Sequence, residues 1–130
     1  MELSYVLPLS PSFSLSFFGS GRFPFYENPK GYEGPTESTG VAALRWAAME
    51  RLSLHANYTL FHQGFARWDG ERDPNIGVIA HMALIGASYR LSEDASVGLD
   101  LRLPIDQRPI GDGDAFEFGP TLLANLSFGF

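Results

Sequence analysis

The chain has 130 residues, 45% of them apolar, with 9 Lys and Arg against 15 Asp and Glu and a formal charge of -6. That is room for one domain, and the acidic balance argues against a nucleic-acid partner. No cysteine means no disulfide scaffold, zinc knuckle or thiol catalysis, and no apolar run of about 18 residues means no helical membrane span.

Along the chain, apolar and small or polar residues alternate with a period of two, the signature of strands and not of helices. Residues 2–9 set Leu3, Tyr5, Leu7 and Leu9 against Ser4, Val6 and Pro8. The start of this stretch has no basic or long apolar leader, so no signal peptide is expected there. Residues 13–25 set Phe13, Leu15, Phe17, Phe23 and Phe25 against Ser14, Ser16, Ser20 and Arg22, with Phe18 out of phase. Around residue 44 both faces are apolar, Ala42, Leu44, Trp46 and Ala48 opposing Ala43, Arg45 and Ala47. From Leu52 the row Leu52, Leu54, Ala56, Tyr58, Leu60 opposes Ser53, His55, Asn57, Thr59. Around residue 84, Ile79, Ala83, Ile85, Ala87 and Tyr89 oppose Met82, Leu84, Gly86, Ser88 and Arg90. From Val97 the row Val97, Leu99, Leu101, Leu103, Ile105 opposes Gly98, Asp100, Arg102. The last stretch sets Phe116, Phe118, Leu122, Ala124, Leu126, Phe128 and Phe130 against Glu117, Gly119, Thr121, Asn125 and Ser127.

These stretches predict an all-β fold over 1–130, an antiparallel up-and-down meander of about seven long strands. At roughly 8 to 15 residues each they exceed the usual soluble strand and match a tilted membrane-crossing one. All nine prolines fall at or between segment ends, where no ladder donor is required. The expected connections alternate in length: 10–12, 50–51 and 92–95 are short, while 26–37, 63–75 and 106–115 are long. Such sorting puts tight turns at one end of the sheet and extended, acidic, solvated loops at the other, the arrangement of a transmembrane barrel.

On these features the chain resembles the C-terminal portion of a Gram-negative outer-membrane β-barrel protein of porin or transporter type. The most specific part is Leu122, Ala124, Leu126, Phe128 and the terminal Phe130. The resemblance implies that these residues form the closing strand and the signal read by the barrel-assembly machinery, with outer-membrane lipid as the surroundings. Aromatic residues are then expected in two girdles, Tyr89 and Trp46 near the periplasmic rim and Phe23, Phe25, Phe65, Trp68, Phe116 and Phe118 near the outer one. Seven strands are an odd number, so the chain is expected to be a barrel fragment or one member of a self-associating assembly, its open edges completed by further strands or copies.

The polar rows are expected to line a lumen, with Arg22, Arg45, His55, Arg90, Asp100, Arg102 and Glu117 as its charged or titratable residues. A basic wall with Asp100 and Glu117 at a constriction would favour anionic solutes; a salt-bridged network that rigidifies the interior is the plainer reading and the preferred one. Ser53 and His55 share a face, but two residues along a strand separate them by about 7 Å, too far for a nucleophile and its base. No enzyme activity, cofactor or metal is expected, and Gly111-Asp112-Gly113-Asp114 lacks the spacing of a calcium loop. The resulting expectation is an outer-membrane barrel with a structural, pore or small-solute transport role. The alternatives are a soluble lipocalin-like barrel with its apolar rows turned inward and, behind it, an outer-membrane lipid hydrolase.

Overall fold

In a pleated strand successive side chains leave opposite faces, so a period-two sequence can satisfy its backbone in a sheet and still segregate two chemistries. The computed structural model, which describes residues 1–113 and 117–129, does this throughout. Its strands are β1 (Glu2–Pro8), β2 (Phe13–Arg22), β3 (Tyr32–Glu33), β4 (Glu37–Ala47), β5 (Leu52–Gln63), β6 (Arg67–Trp68), β7 (Glu71–Arg72), β8 (Val78–Arg90), β9 (Ala95–Pro109) and β10 (Thr121–Phe128). Seven of them form one sheet in the order β1-β2-β4-β5-β8-β9-β10, each antiparallel to the next. The protein is therefore an all-β antiparallel meander, with β1 and β10 as the edges of the sheet among the described residues.

The register aligns the chemistry across the whole sheet. One line of directly opposed residues reads Leu7, Leu15, Leu44, Ala56, Ile85, Leu101, Leu122. The adjacent line, on the other face, reads Pro8, Ser14, Arg45, His55, Gly86, Asp100, Leu123. The two faces are unequally exposed, and in an unusual sense. Along β5 the polar His55 and the residues Asn57, Thr59 and Phe61 are half-buried, while Ala56, Tyr58 and Leu60 are exposed. A flat single layer would shelter both faces alike, so the sheet curves with its polar face inward.

Three buried hydrophobic residues, Ala66, Val78 and Ala80, are all that the described residues offer as a core, and no large side chain is fully buried. Leu3, Ile85, Leu99, Leu122 and Leu126 are each more than half exposed on the outward face. Leaving such side chains in water forgoes about 1.5–3 kcal/mol each.

The connections sort as expected: 9–12, 48–51 and 91–94 are tight, and 23–36, 64–77 and 110–120 are long. The long ones are not simply solvated. β3, β6 and β7 form a second, three-stranded sheet at that end, linking the first two long connections. Tyr32 and Trp68 meet there with ring centroids 4.8 Å apart, Arg67 lies 3.6 Å from Glu33, and Arg72 sits 4.7 Å above the Phe65 ring. The third long connection joins in through Ile110 N–H to Gly77 C=O and Asp112 N–H to Pro74 C=O.

Three strand ends differ by three residues or more from the sequence expectation. β2 stops at Arg22, so Phe23 and Phe25 lie in the connection that follows it. β9 continues to Pro109, so Asp106 and Arg108 are strand residues and not loop residues. β10 begins at Thr121, so Glu117 and Phe118 precede the final strand, where Pro120 cannot donate to a ladder. Phe116, Asp114 and Phe130 lie outside the described residues.

Candidate functional site on the sheltered face

Every Lys, Arg, Asp and Glu of the seven long strands from Glu2 to Leu103 falls on the sheltered face: Glu2, Arg22, Glu37, Arg45, Arg90, Asp100 and Arg102. Six of the seven expected lumen residues, including His55, are thus brought to one surface. Glu117 is the exception, exposed in the connection before β10.

The charges are arranged in levels. Near the long-loop end Arg22 lies 3.6 Å from Glu37, whose Oε1 also accepts a 3.3 Å hydrogen bond from Gln63. At mid-sheet His55 Nε2 lies 2.7 Å from Asp100 Oδ1, the two side chains meeting over Gly86. Toward the short turns Arg45 donates to Ser53 Oγ at 3.4 Å, and the Asn125 amide lies over Gly98. Among the described residues Arg45, Arg90 and Arg102 have no carboxylate within ion-pair distance. The expected salt-bridged network is therefore partial, and the mid and lower wall keeps a basic surplus. Ser53 is engaged by Arg45 and His55 by Asp100, so the Ser53–His55 pair weighed from the sequence is not assembled.

A trough of about 520 Å³ runs along this face between Thr39, Asn57, Thr59, Leu84, Arg102 and Phe118. Phe118 was expected in an outward aromatic girdle; instead it packs edge-on against Phe61 at 6.2 Å between centroids, on the polar side. Gln107 holds it there: its Nε2 donates to Phe118 C=O at 2.9 Å, and its Oε1 accepts from Phe118 N–H at 2.6 Å. One side-chain amide thus substitutes for a strand neighbour and folds residues 117–120 over the trough.

The outer girdle changes accordingly. Phe65 and Trp68 belong to the packing of the three-stranded cap, while Phe23 and Phe25 remain exposed. At the short-turn end Trp46 stacks on Phe13, centroids 5.5 Å apart and planes within 3°, and Tyr89 is exposed beside that level. Leu122, Ala124, Leu126 and Phe128 share the outward face of β10.

No protein-family model, curated protein or solved structure matches the chain.

Proposed function

We propose that the chain forms part or all of the wall of an outer-membrane β-barrel, with its apolar face against lipid and its polar face lining an aqueous passage for small solutes. The observation that carries this reading is the inside-out distribution of chemistry: large apolar side chains occupy the exposed face, and charge from Glu2 to Leu103 is confined to the sheltered one. In water that distribution is costly, whereas in hydrocarbon it is required, since a charge on the lipid face costs about 2–4 kcal/mol at the midplane. β4, β5, β8 and β9, with 11, 12, 13 and 15 residues, meet or exceed the roughly 9–11 a tilted crossing needs. A lipocalin-like barrel needs the opposite curvature, with the apolar rows sheltered.

In this reading Arg45, Arg90 and Arg102 give the passage an anion preference, and Phe118, held by Gln107, narrows it. Further strands of the same protein or a second copy complete the edges at β1 and β10, and the outward row of β10 with Phe130 serves as the assembly signal. The test is to refold the protein into lipid vesicles and compare gel mobility of boiled and unboiled samples, followed by ion-selectivity measurements in a planar bilayer. A heat-dependent mobility shift and anion-selective conductance that falls in Arg102→Glu are expected. A protein that stays monodisperse without detergent and shows no shift would sink the barrel reading.

A further inference from the structure

The outward face is uncharged over most of its area, and the exception is concentrated at one place. Among the described residues of the seven-stranded sheet, His62, His81, Asp106 and Arg108 are the titratable residues this face carries apart from tyrosines, and all lie near the long-loop ends of the adjacent strands β5, β8 and β9. The register sets His81 opposite Leu60 and Asp106, and Ile79 opposite His62 and Arg108.

This placement is not what alternation along β9 would give. Leu103 faces outward, so an unbroken strand would turn Asp106 and Arg108 to the polar face and Gln107 to the apolar one. A β-bulge intervenes: His81 pairs with Asp106 and Met82 with Pro104, leaving Ile105 as the extra residue. One inserted residue reverses the facing of everything beyond it. It sends Gln107 inward, where it grips Phe118, and brings an ion pair out onto the apolar face.

The outward cluster is built as a site. Arg108 Nε lies 2.8 Å from Asp106 Oδ2, and the Arg108 side chain, which carries the two terminal guanidinium nitrogens, is 76% exposed. The Tyr58 hydroxyl bonds His81 Nδ1, so the other ring nitrogen of His81 is available. Ile79, Ile105 and the Tyr58 ring line the same groove. The Arg108 guanidinium and the His81 ring thus stand beside apolar walls, at the level where the outward face passes from aliphatic rows to loops.

We infer that this groove binds the phosphorylated headgroup of a membrane lipid, with Arg108 and His81 on the phosphate and the first acyl carbons along Ile79 and Ile105. Lipid and not free phosphate is the ligand, because Ile79, Ile105 and the Tyr58 ring give the groove an apolar wall that a bare anion would leave unused. The inference rests on the membrane reading above.

The experiment is native mass spectrometry of the detergent-folded protein titrated separately with phosphatidic acid, with diacylglycerol of the same chains, and with inorganic phosphate. Retention of one phosphatidic acid is expected, with neither diacylglycerol nor phosphate retained. Arg108→Gln is expected to weaken retention roughly ten- to hundredfold, the loss of a charge-assisted hydrogen bond, while keeping the heat-dependent mobility shift. His81→Ala removes the second donor and is expected to weaken retention in the same direction, and Arg108→Gln carries the test alone if that variant does not fold. Undiminished retention in Arg108→Gln, or equal retention of diacylglycerol or phosphate, overturns the inference while the barrel reading stands. Absence of the mobility shift in the unsubstituted protein overturns both.

Discussion

His55 reaches over β8 to Asp100, its Nε2 lying 2.7 Å from Asp100 Oδ1 although the two residues belong to strands that are not neighbours. Strands lie about 4.8 Å apart, so groups on β5 and β9 start nearly 10 Å from each other and can meet only if nothing stands between. Gly86 is the residue between them, and a Cβ built on it would fall 2.0 Å from Asp100 Oδ1 and 2.4 Å from His55 Nε2.

Gly86→Ala should therefore break this pair without altering the backbone pattern. We expect a loss of roughly 1–3 kcal/mol in urea unfolding from lipid, the cost of overpacking and of an unpaired half-buried polar group. Gly40→Ala is the control, because a Cβ there meets nothing within 4 Å, and it should be neutral or slightly stabilising. Equal effects at the two glycines would remove the pair from the account of stability.

The two faces should respond oppositely to charge. Ile85→Arg, on the outward row, is expected to cost about 2–4 kcal/mol of stability in vesicles, whereas Asn57→Arg on the sheltered face should insert nearly as well as the unsubstituted protein. Insertion yield followed by the heat-dependent gel shift decides it, and similar yields for both variants would count against a lipid-facing apolar surface.

Gln107 gives a third expectation. Gln107→Leu deletes two hydrogen bonds to the Phe118 backbone and should loosen residues 117–120 over the trough. The chain has no cysteine, and a Cβ at Gly119 meets nothing within 4 Å, so Gly119→Cys supplies a clean label. Maleimide labelling should speed up by roughly ten- to a hundredfold when Gln107→Leu is added, the size of two lost hydrogen bonds. An unchanged rate would mean that the other contacts of Phe118, its packing on Phe61 among them, hold the segment.

The cap can be tested at its turn. Asp69 and Gly70 have φ of 49° and 80°, the two positive values that a two-residue hairpin between β6 and β7 demands. Gly70→Val should cost about 1–2 kcal/mol locally, since a β-branched residue resists the left-handed region. Faster proteolysis within 64–77, with the gel shift retained, is the expected result, and Asp69→Asn should leave the rate unchanged or lower.

The sequence by itself determined the seven long strands, their antiparallel order, the sorting of short and long connections, and the confinement of Arg22, Arg45, His55, Arg90, Asp100 and Arg102 to one face. The reason is that a period of two is a local property, and consecutive strands with short turns have little choice but to pair. What only the tertiary structure decided lies where a partner strand or a folded-back loop overrides that period. The bulge at Ile105 is a mismatch between β8 and β9, so the outward facing of Asp106 and Arg108 cannot be read from β9 alone. Phe118 continues the apolar phase of the last segment, yet Gln107 draws it to the polar face before β10 begins, and Glu117 leaves the strand with it. The hairpin of β6 and β7 lies inside the stretch 63–75 expected as an extended loop, and so short a hairpin depends on Tyr32 arriving from another connection to pack on Trp68. The pairing of His55 with Asp100 likewise depends on register, because only that alignment sets Gly86 between them and opens the way across.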